Sequence, residues 1–118
     1  MWLKTLFFVI VYMISFGTGQ RTPTISYISQ EQIKDIGDTV ELECSVQYAQ
    51  DYPVLWMKVD RGRTMEPLPI STGSTLIIPD GRFSLRYDTA SSTYTLQVKD
   101  IQEADAGYYQ CQVIIALY

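Results

Sequence analysis

The stretch DAGYYQC, residues 105–111, introduces the last run of alternating residues and ends on one of the chain's two cysteines. Outward from it, short runs of alternating apolar and polar residues recur, and turn residues separate them. In the clearest run, VELECSV at 40–46, every second residue is apolar, which is typical of a strand with one buried and one solvated face. The pattern predicts an all-β protein.

The alternating runs also predict where the strands lie. Turn residues such as Gly37-Asp38 and Pro79-Asp80-Gly81 mark the boundaries between runs. We find no repeat, low-complexity tract or linker, so one domain is the simplest division of the chain. The expected strands lie at 40–46, 53–59, 68–71, 74–78, 83–87, 93–98 and 107–114, and residues 99–106 are expected to form a short helical turn.

The first 19 residues have the three parts of a secretory signal. Lys4 provides the positive start, residues 6–16 are an apolar run, and small residues follow at 17–19. A membrane span needs roughly 20 apolar residues, so this run is too short for one. We expect residues 1–19 to be a cleaved signal peptide and residues 20–118 to form the domain.

Export places the two cysteines, Cys44 and Cys111, in an oxidising compartment, where a disulfide between them is the default expectation. The two cysteines are 67 positions apart. Closing a loop of that length is worth about 4 kcal/mol in the chain-entropy model. We therefore expect the disulfide to provide a large share of the net stability of so small a domain.

Taken together, Cys44, Trp56 and the 105–111 stretch resemble the signature of an immunoglobulin domain. The resemblance implies that Trp56 packs beside an inter-sheet disulfide and that Tyr109 forms a tyrosine corner. It also implies an ion pair between Arg82 and the acidic residue that opens the stretch, Asp105. The segments between residues 56 and 83 favour a variable-type β-sandwich.

Three longer segments, 54–61, 86–92 and 94–107, resemble the first domain of the lachesin-like, IgLON-related adhesion proteins of the immunoglobulin superfamily. The last of these segments contains Leu96, which is expected in the core. The resemblance implies an extracellular, lipid-anchored protein with several such domains, which works in cell–cell adhesion and makes homophilic contacts.

One feature departs from that family. A variable-type sandwich needs a final strand beside the one that holds Cys111, yet the sequence stops at Tyr118. We therefore expect a C-terminally incomplete domain. Either the chain is a fragment or truncated product, or its sandwich has an open edge of unpaired backbone groups.

Alternation also predicts which face binds a partner. If Cys44 points inward, its strand and the neighbouring strand at 93–98 turn a polar face outward, with Glu41, Glu43, Ser45, Thr93, Thr95 and Gln97. If Trp56 points inward, the other sheet turns apolar residues outward, and such a patch is typical of an interface. The resemblance implies dimerisation through this same face; the alternative is that a final strand or a neighbouring domain covers it. The predicted protein-binding residues are Leu55, Met57, Val59, Tyr108, Gln110, Gln112 and Ile114, and Ile70, Leu76 and Ile78 are candidates to extend the set.

Composition argues against an enzyme. The chain has no histidine, both cysteines are expected in the disulfide, and acidic residues such as Glu41 and Glu43 alternate along an exposed strand without converging. No glycine-rich phosphate loop appears in the domain. We expect no catalytic residues, no metal and no cofactor. A formal net charge of −4 without a Lys/Arg cluster disfavours nucleic acid, and the absence of asparagine excludes N-glycosylation.

The sequence therefore predicts an extracellular adhesion or recognition module that binds the same or a related immunoglobulin-superfamily chain. In a full-length context we expect a homodimer that contacts the membrane only through an anchor absent from this chain. The alternative is a soluble secreted binder or antagonist.

Overall fold

The computed structural model describes residues 22–59 and 67–115, and within them the chain forms eight strands and one short 3₁₀ turn. The expected signal peptide at 1–19 and the expected turn at 60–63 lie outside the described residues. The strands are β1 (Thr24–Ile28), β2 (Val40–Gln47), β3 (Val54–Val59), β4 (Leu68–Thr72), β5 (Thr75–Leu76), β6 (Phe83–Asp88), β7 (Thr93–Val98) and β8 (Tyr108–Val113), and the turn covers Glu103–Asp105.

Antiparallel pairing assembles these strands into two sheets of four. One sheet has the order β1-β2-β7-β6, and the other has the order β5-β4-β3-β8. The Cys44–Cys111 disulfide, with an S–S distance of 2.05 Å, joins β2 of the first sheet to β8 of the second. The predictions of an all-β sandwich and of this disulfide are confirmed.

The core lies between the two sheets and surrounds the disulfide. Trp56 and Leu96, exposed by 2% and 0%, pack there among β-branched side chains, which suit the half-buried surface of a sheet. The indole Nε1–H of Trp56 donates a hydrogen bond to the Tyr94 carbonyl oxygen at 3.3 Å, so the buried ring leaves no unpaired donor. The buried apolar residues are Cys44, Val46, Ala49, Val54, Trp56, Ile70, Leu96, Val98 and Cys111.

Strand β1 is an element that the alternating pattern did not predict. It pairs with β2, but all five of its residues are exposed. The register also shifts between Ile25 and Tyr27, which interrupts the period-2 pattern. The sequence of this edge strand therefore lacks the regular alternation of buried and exposed residues that predicts the other strands.

The helical turn that we expected at 99–106 is shorter in the structure. Only Glu103–Asp105 is helical, and the Gln102 backbone N–H donates to the Asp105 carboxylate at 2.7 Å at its start. Gly107 then adopts a φ of +148°, and a Cβ at this position would lie 3.3 Å from the Val59 carbonyl oxygen. The chain needs glycine here to enter β8 beside β3.

Candidate protein-binding face

The outward surface of β3 and β8 is set by the residues that these strands bury. Val54 and Trp56 are 1% and 2% exposed, so period-2 alternation turns the residues between and after them to the outer side. The register then places a β8 residue directly opposite each outward β3 residue. The three pairs are Leu55 with Gln112, Met57 with Gln110, and Val59 with Tyr108. We call these six residues the β3–β8 face.

On the β3–β8 face, the apolar side chains of β3 form one column, and the longer polar and aromatic side chains of β8 form the column beside it. Leu55, Met57 and Val59 are half-buried, whereas the three β8 residues are exposed, with Tyr108 at 57%. Cross-strand partners lie close together, so the longer β8 side chains flank the apolar column. On the other side β4 places Thr72 opposite Leu55 and Pro69 opposite Met57.

No charged side chain stands on this surface among the described residues of β3, β4 and β8. Lys58 alternates with the outward residues of β3 and therefore points to the same side as Trp56. Its ammonium group donates to the Ala104 carbonyl oxygen and lies 6.0 Å from the centre of the Tyr109 ring. The charge is therefore held at one end of the sandwich. Ile114 follows β8 with 38% exposure, and its N–H donates to the Pro53 carbonyl oxygen at 2.9 Å.

The outer surface of the other sheet has the opposite chemistry. Glu41 accepts a hydrogen bond from the Gln97 amide at 2.9 Å and forms an ion pair with Arg86 at 3.8 Å. The hydroxyl groups of Ser45 and Thr93 are 2.7 Å apart. Thr95, expected at the exposed surface, has 4% exposure because Glu43 and Arg86 flank it in the sheet. This surface is charged, and its polar groups already bind one another.

Three residues that were candidates to extend the binding face lie elsewhere. Ile70 is 1% exposed and belongs to the core, and both Leu76 and Ile78 pack against the core. A bulge explains the error for Ile70, because the β3–β4 register passes from Ser71 to Pro69 and leaves Ile70 as the extra residue. Leu76 pairs with the buried Ser71 and therefore points inward with it.

An ion-pair cluster closes one end of the sandwich. The Arg82 guanidinium donates to both carboxylate oxygens of Asp105, at 2.7 and 3.1 Å, and forms an ion pair with Asp80 at 3.2 Å. The hydrogen bond from Arg82 lowers the pKa of the Asp105 carboxyl below its ordinary value. Sequence reasoning missed Asp80, whose position two residues before Arg82 in a turn was the available signal.

Tyr109 supports the same end of the sandwich from β8. Its hydroxyl donates to the Asp105 carbonyl oxygen at 2.6 Å, which is the hydrogen bond expected of a tyrosine corner. Tyr109 and Arg82 therefore hold the backbone and the side chain of one aspartate. These residues stabilise the domain and lie away from the β3–β8 face.

In the described residues, 22–59 and 67–115, no group of three or more His, Cys, Asp or Glu side chains could hold a metal ion. No helix in the same part of the chain is long and apolar enough to cross a membrane.

Comparison with known proteins identifies the class of protein that this sandwich belongs to. Residues 29–117 match the family model of the immunoglobulin V-set domain. The chain therefore belongs to the immunoglobulin V-set family, as the variable-type signature predicted.

Within that family, the chain is lachesin-like. It is 80% identical to Lachesin of Schistocerca americana over 95% of this chain and 32% of that protein. It is 68% identical to Lachesin of Drosophila melanogaster over 82% of this chain and 26% of that protein. Protein amalgam of Drosophila melanogaster is 30% identical over 87% of this chain and 32% of its own length. The chain thus spans about a third or less of these relatives.

Two solved structures have the same fold. The crystal structure of Dpr1 IG1 bound to DIP-eta IG1 superposes with a TM-score of 0.65 at 27% identity, and covers 77% of this chain and 82% of that chain. The structure of Dpr2 Ig1-Ig2 in complex with DIP-Theta Ig1-Ig3 superposes with a TM-score of 0.62 at 26% identity, over 79% of this chain and 41% of that chain.

These relationships define the class of function. The chain is a lachesin-like immunoglobulin V-set domain, and this family is not enzymatic. The expectations of a lachesin-like immunoglobulin domain and of a non-enzymatic protein are confirmed.

Proposed function

We propose that this chain binds another immunoglobulin domain through the β3–β8 face. The observation that carries the proposal is the contrast between the two outer surfaces of the sandwich. Among the described residues of its strands, one is uncharged, with Met57 at its centre and Tyr108 exposed beside it, and the other carries Glu41, Arg86 and Asp88. Interface centres are depleted in charged residues and enriched in aromatic residues and Met, so the β3–β8 face is the better candidate.

The kind of partner is supported by the structural relatives. The first is a complex in which one immunoglobulin domain, Dpr1 IG1, is bound to another, DIP-eta IG1. The second also joins chains made of immunoglobulin domains. A partner of the same fold presents a sheet surface of similar size and curvature, which a flat two-column face such as this one fits.

A second copy of this chain is one partner that fits the chemistry. A two-fold axis would bring each face against itself, and its six residues would bring no like charges together. The amides of Gln110 and Gln112 each contain donors and an acceptor, so they can pair with the same groups of a copy. Homophilic contact in a longer, membrane-attached protein is part of the proposal, with a related immunoglobulin chain as the other form of partner.

The face residues match the features of a binding hot spot. Leu55, Met57 and Val59 form a continuous apolar column that a partner would remove from water, and the β8 side chains surround it. A charge placed in the column would be buried without a counter-ion in the complex and would remain solvated in the free domain. Binding should therefore respond to such a change while stability does not.

The test compares one charge substitution on each outer surface. Met57→Asp should weaken self-association or partner binding by more than about a hundredfold and leave the melting temperature nearly unchanged. Glu43→Lys, on the other sheet, should change neither. Sedimentation and biosensor measurements on the full-length protein give the affinity, and thermal melts give the melting temperature. If Met57→Asp binds like the parent, or if Glu43→Lys abolishes binding, the proposed face is wrong.

A further inference from the structure

Strand β6 forms the edge of its sheet that lies opposite to β1. All six of its residues pair with β7 without a register shift, whereas the pairing of β1 with β2 shifts between Ile25 and Tyr27. A bulge and a proline are two means by which natural proteins protect an edge strand from pairing, and β6 has neither. β6 is therefore the regular edge of this sheet.

The free side of β6 presents backbone groups that β7 does not use. The Lys99 N–H donates to the Arg82 carbonyl oxygen at 2.9 Å, so the register turns the N–H and C=O groups of even-numbered residues toward β7. Leu85 and Tyr87 consequently turn theirs to the free side. Within residues 22–59 and 67–115, no strand pairs with this side of β6.

Two outward side chains of this edge have opposite charges and lie two positions apart. The Arg86 guanidinium is 3.8 Å from the Glu41 carboxylate and 60% of the side chain is exposed. Asp88 accepts a hydrogen bond from the Ala90 N–H at 2.9 Å, which holds its carboxylate at the end of the strand. A two-fold axis beside β6 can therefore place each charge near the opposite charge of a second copy.

Three antiparallel registers pair the free backbone groups of Leu85 and Tyr87 with those of a second β6. Leu85 opposite Tyr87 places Arg86 opposite Arg86 of the second copy, and like charges directly opposite each other are destabilising. Tyr87 opposite Tyr87 places Arg86 opposite Asp88 twice, once on each side of the axis. Opposite charges in such pairs are stabilising.

The third register, with Leu85 opposite Leu85, gains less from charge. It places Arg86 opposite the uncharged Ser84, and Asp88 opposite Arg82 of the second copy. The Arg82 guanidinium already donates to Asp105 and forms an ion pair with Asp80, so its charge is largely compensated within its own chain. The charges therefore favour the register with Tyr87 opposite Tyr87.

We propose that β6 is a second self-association site, at which two copies pair their β6 strands antiparallel with Tyr87 opposite Tyr87 and Arg86 opposite Asp88. Main-chain hydrogen bonds join the two sheets into one across the axis. The proposal goes beyond the proposed function, because β6 belongs to the other sheet and leaves the β3–β8 face of each copy uncovered. A pair of copies joined in this way presents two β3–β8 faces, and two linked contacts bind more tightly than one.

The first test locates the register with single cysteines in the full-length protein. Residues opposite each other in a non-hydrogen-bonded pair have Cα atoms about 4.5 Å apart, which a disulfide can span. Arg86→Cys and Asp88→Cys, mixed in a glutathione redox buffer, should form a disulfide-linked dimer on a non-reducing gel. Each variant alone should form at least about tenfold less, because neither residue faces itself. A mixture of Ser84→Cys and Asp88→Cys is the matched control and should also form at least about tenfold less.

The second test concerns the charges and uses sedimentation of the full-length protein with Met57→Asp, so that the β3–β8 face does not contribute. Adding Arg86→Asp or Asp88→Arg should weaken the remaining self-association at least about tenfold, because like charges then meet. The two changes together should restore it, because opposite charges face each other again. Glu41→Gln removes the ion-pair partner of Arg86 within the chain and should leave self-association unchanged.

Three results would overturn the proposal. The first is equal cross-linking by the control mixture that contains Ser84→Cys. The second is cross-linking of Arg86→Cys alone as strong as that of its mixture with Asp88→Cys, which would indicate another register. The third is a double charge variant that associates as weakly as the single variants. None of these results depends on the β3–β8 face, whose own test measures the effect of Met57→Asp.

Discussion

Arg82 and Asp105 form a two-point ion pair in which both guanidinium nitrogens donate to the two carboxylate oxygens, at 2.7 and 3.1 Å. The pair joins the start of β6 to the turn before β8, residues far apart in sequence. Two parallel charge-assisted hydrogen bonds fix orientation as well as distance. The side chains and their turns therefore close this end of the sandwich as one unit.

The first prediction concerns acid stability. Because Arg82 lowers the pKa of Asp105 in the folded state, the pair stabilises the protein fully above the ordinary aspartate pKa of about 4. That stabilisation is lost as the pH falls through the lower folded pKa. Asp105→Asn should lower the melting temperature by several degrees at pH 7, and the difference from the parent should shrink toward pH 2. Thermal melts across this range measure both, and a pH-independent difference would contradict the assignment.

The second prediction concerns the core. Trp56→Ala should destabilise the domain by roughly 3–5 kcal/mol, because it removes a large side chain beside the disulfide. Trp56→Phe keeps most of the apolar volume, loses the hydrogen bond to Tyr94 and should be less destabilising. Urea unfolding of the secreted chain gives the two values. A Trp56→Ala variant as stable as Trp56→Phe would show that the packing at this position is unimportant.

The third prediction compares a buried isoleucine of β4, Ile70, with an exposed isoleucine that follows β5, Ile77. Ile70→Ala should cost about 2–5 kcal/mol of stability, because Ile70 is 1% exposed, and should affect binding only through folding. Ile77→Ala, at 48% exposure, should stay within about 0.5 kcal/mol of the parent. Denaturant melts of the two variants are the measurement. Equal effects would place Ile70 at the surface after all.

The fourth prediction concerns the aromatic residue of the β3–β8 face. Tyr108→Ala should weaken partner binding by about 2 kcal/mol, roughly thirtyfold, as expected of an interface tyrosine. Tyr27, at 50% exposure on β1, is the matched control, because it points outward from the other sheet opposite Ser45. Tyr27→Ala should bind like the parent in the same biosensor assay. A larger loss from Tyr27→Ala would favour the other sheet.

Alternation orients the six residues of the β3–β8 face because both strands are regular, and their role in binding stays a prediction. Six consecutive residues of β3 pair with β8 without a register shift. The inward direction of Trp56 therefore predicts the side to which every other residue of the strand points. The prediction from alternation failed at Ile70, where the bulge adds one residue, because bulges have no reliable sequence signature. The alternating pattern also missed β1, because all five of its residues are exposed and its register with β2 shifts between Ile25 and Tyr27.

The disulfide has a mechanical consequence for a domain that is pulled at its two ends. Because Cys44 and Cys111 are covalently joined, a pull on the two ends of the chain bypasses everything between them. The bypassed loop contains five of the six residues of the β3–β8 face; Gln112 alone lies outside it. Traction can draw out the segments before Cys44 and after Cys111, but it cannot straighten the strand that carries Met57. The β3–β8 face is thus protected from a load applied at the two ends of the chain.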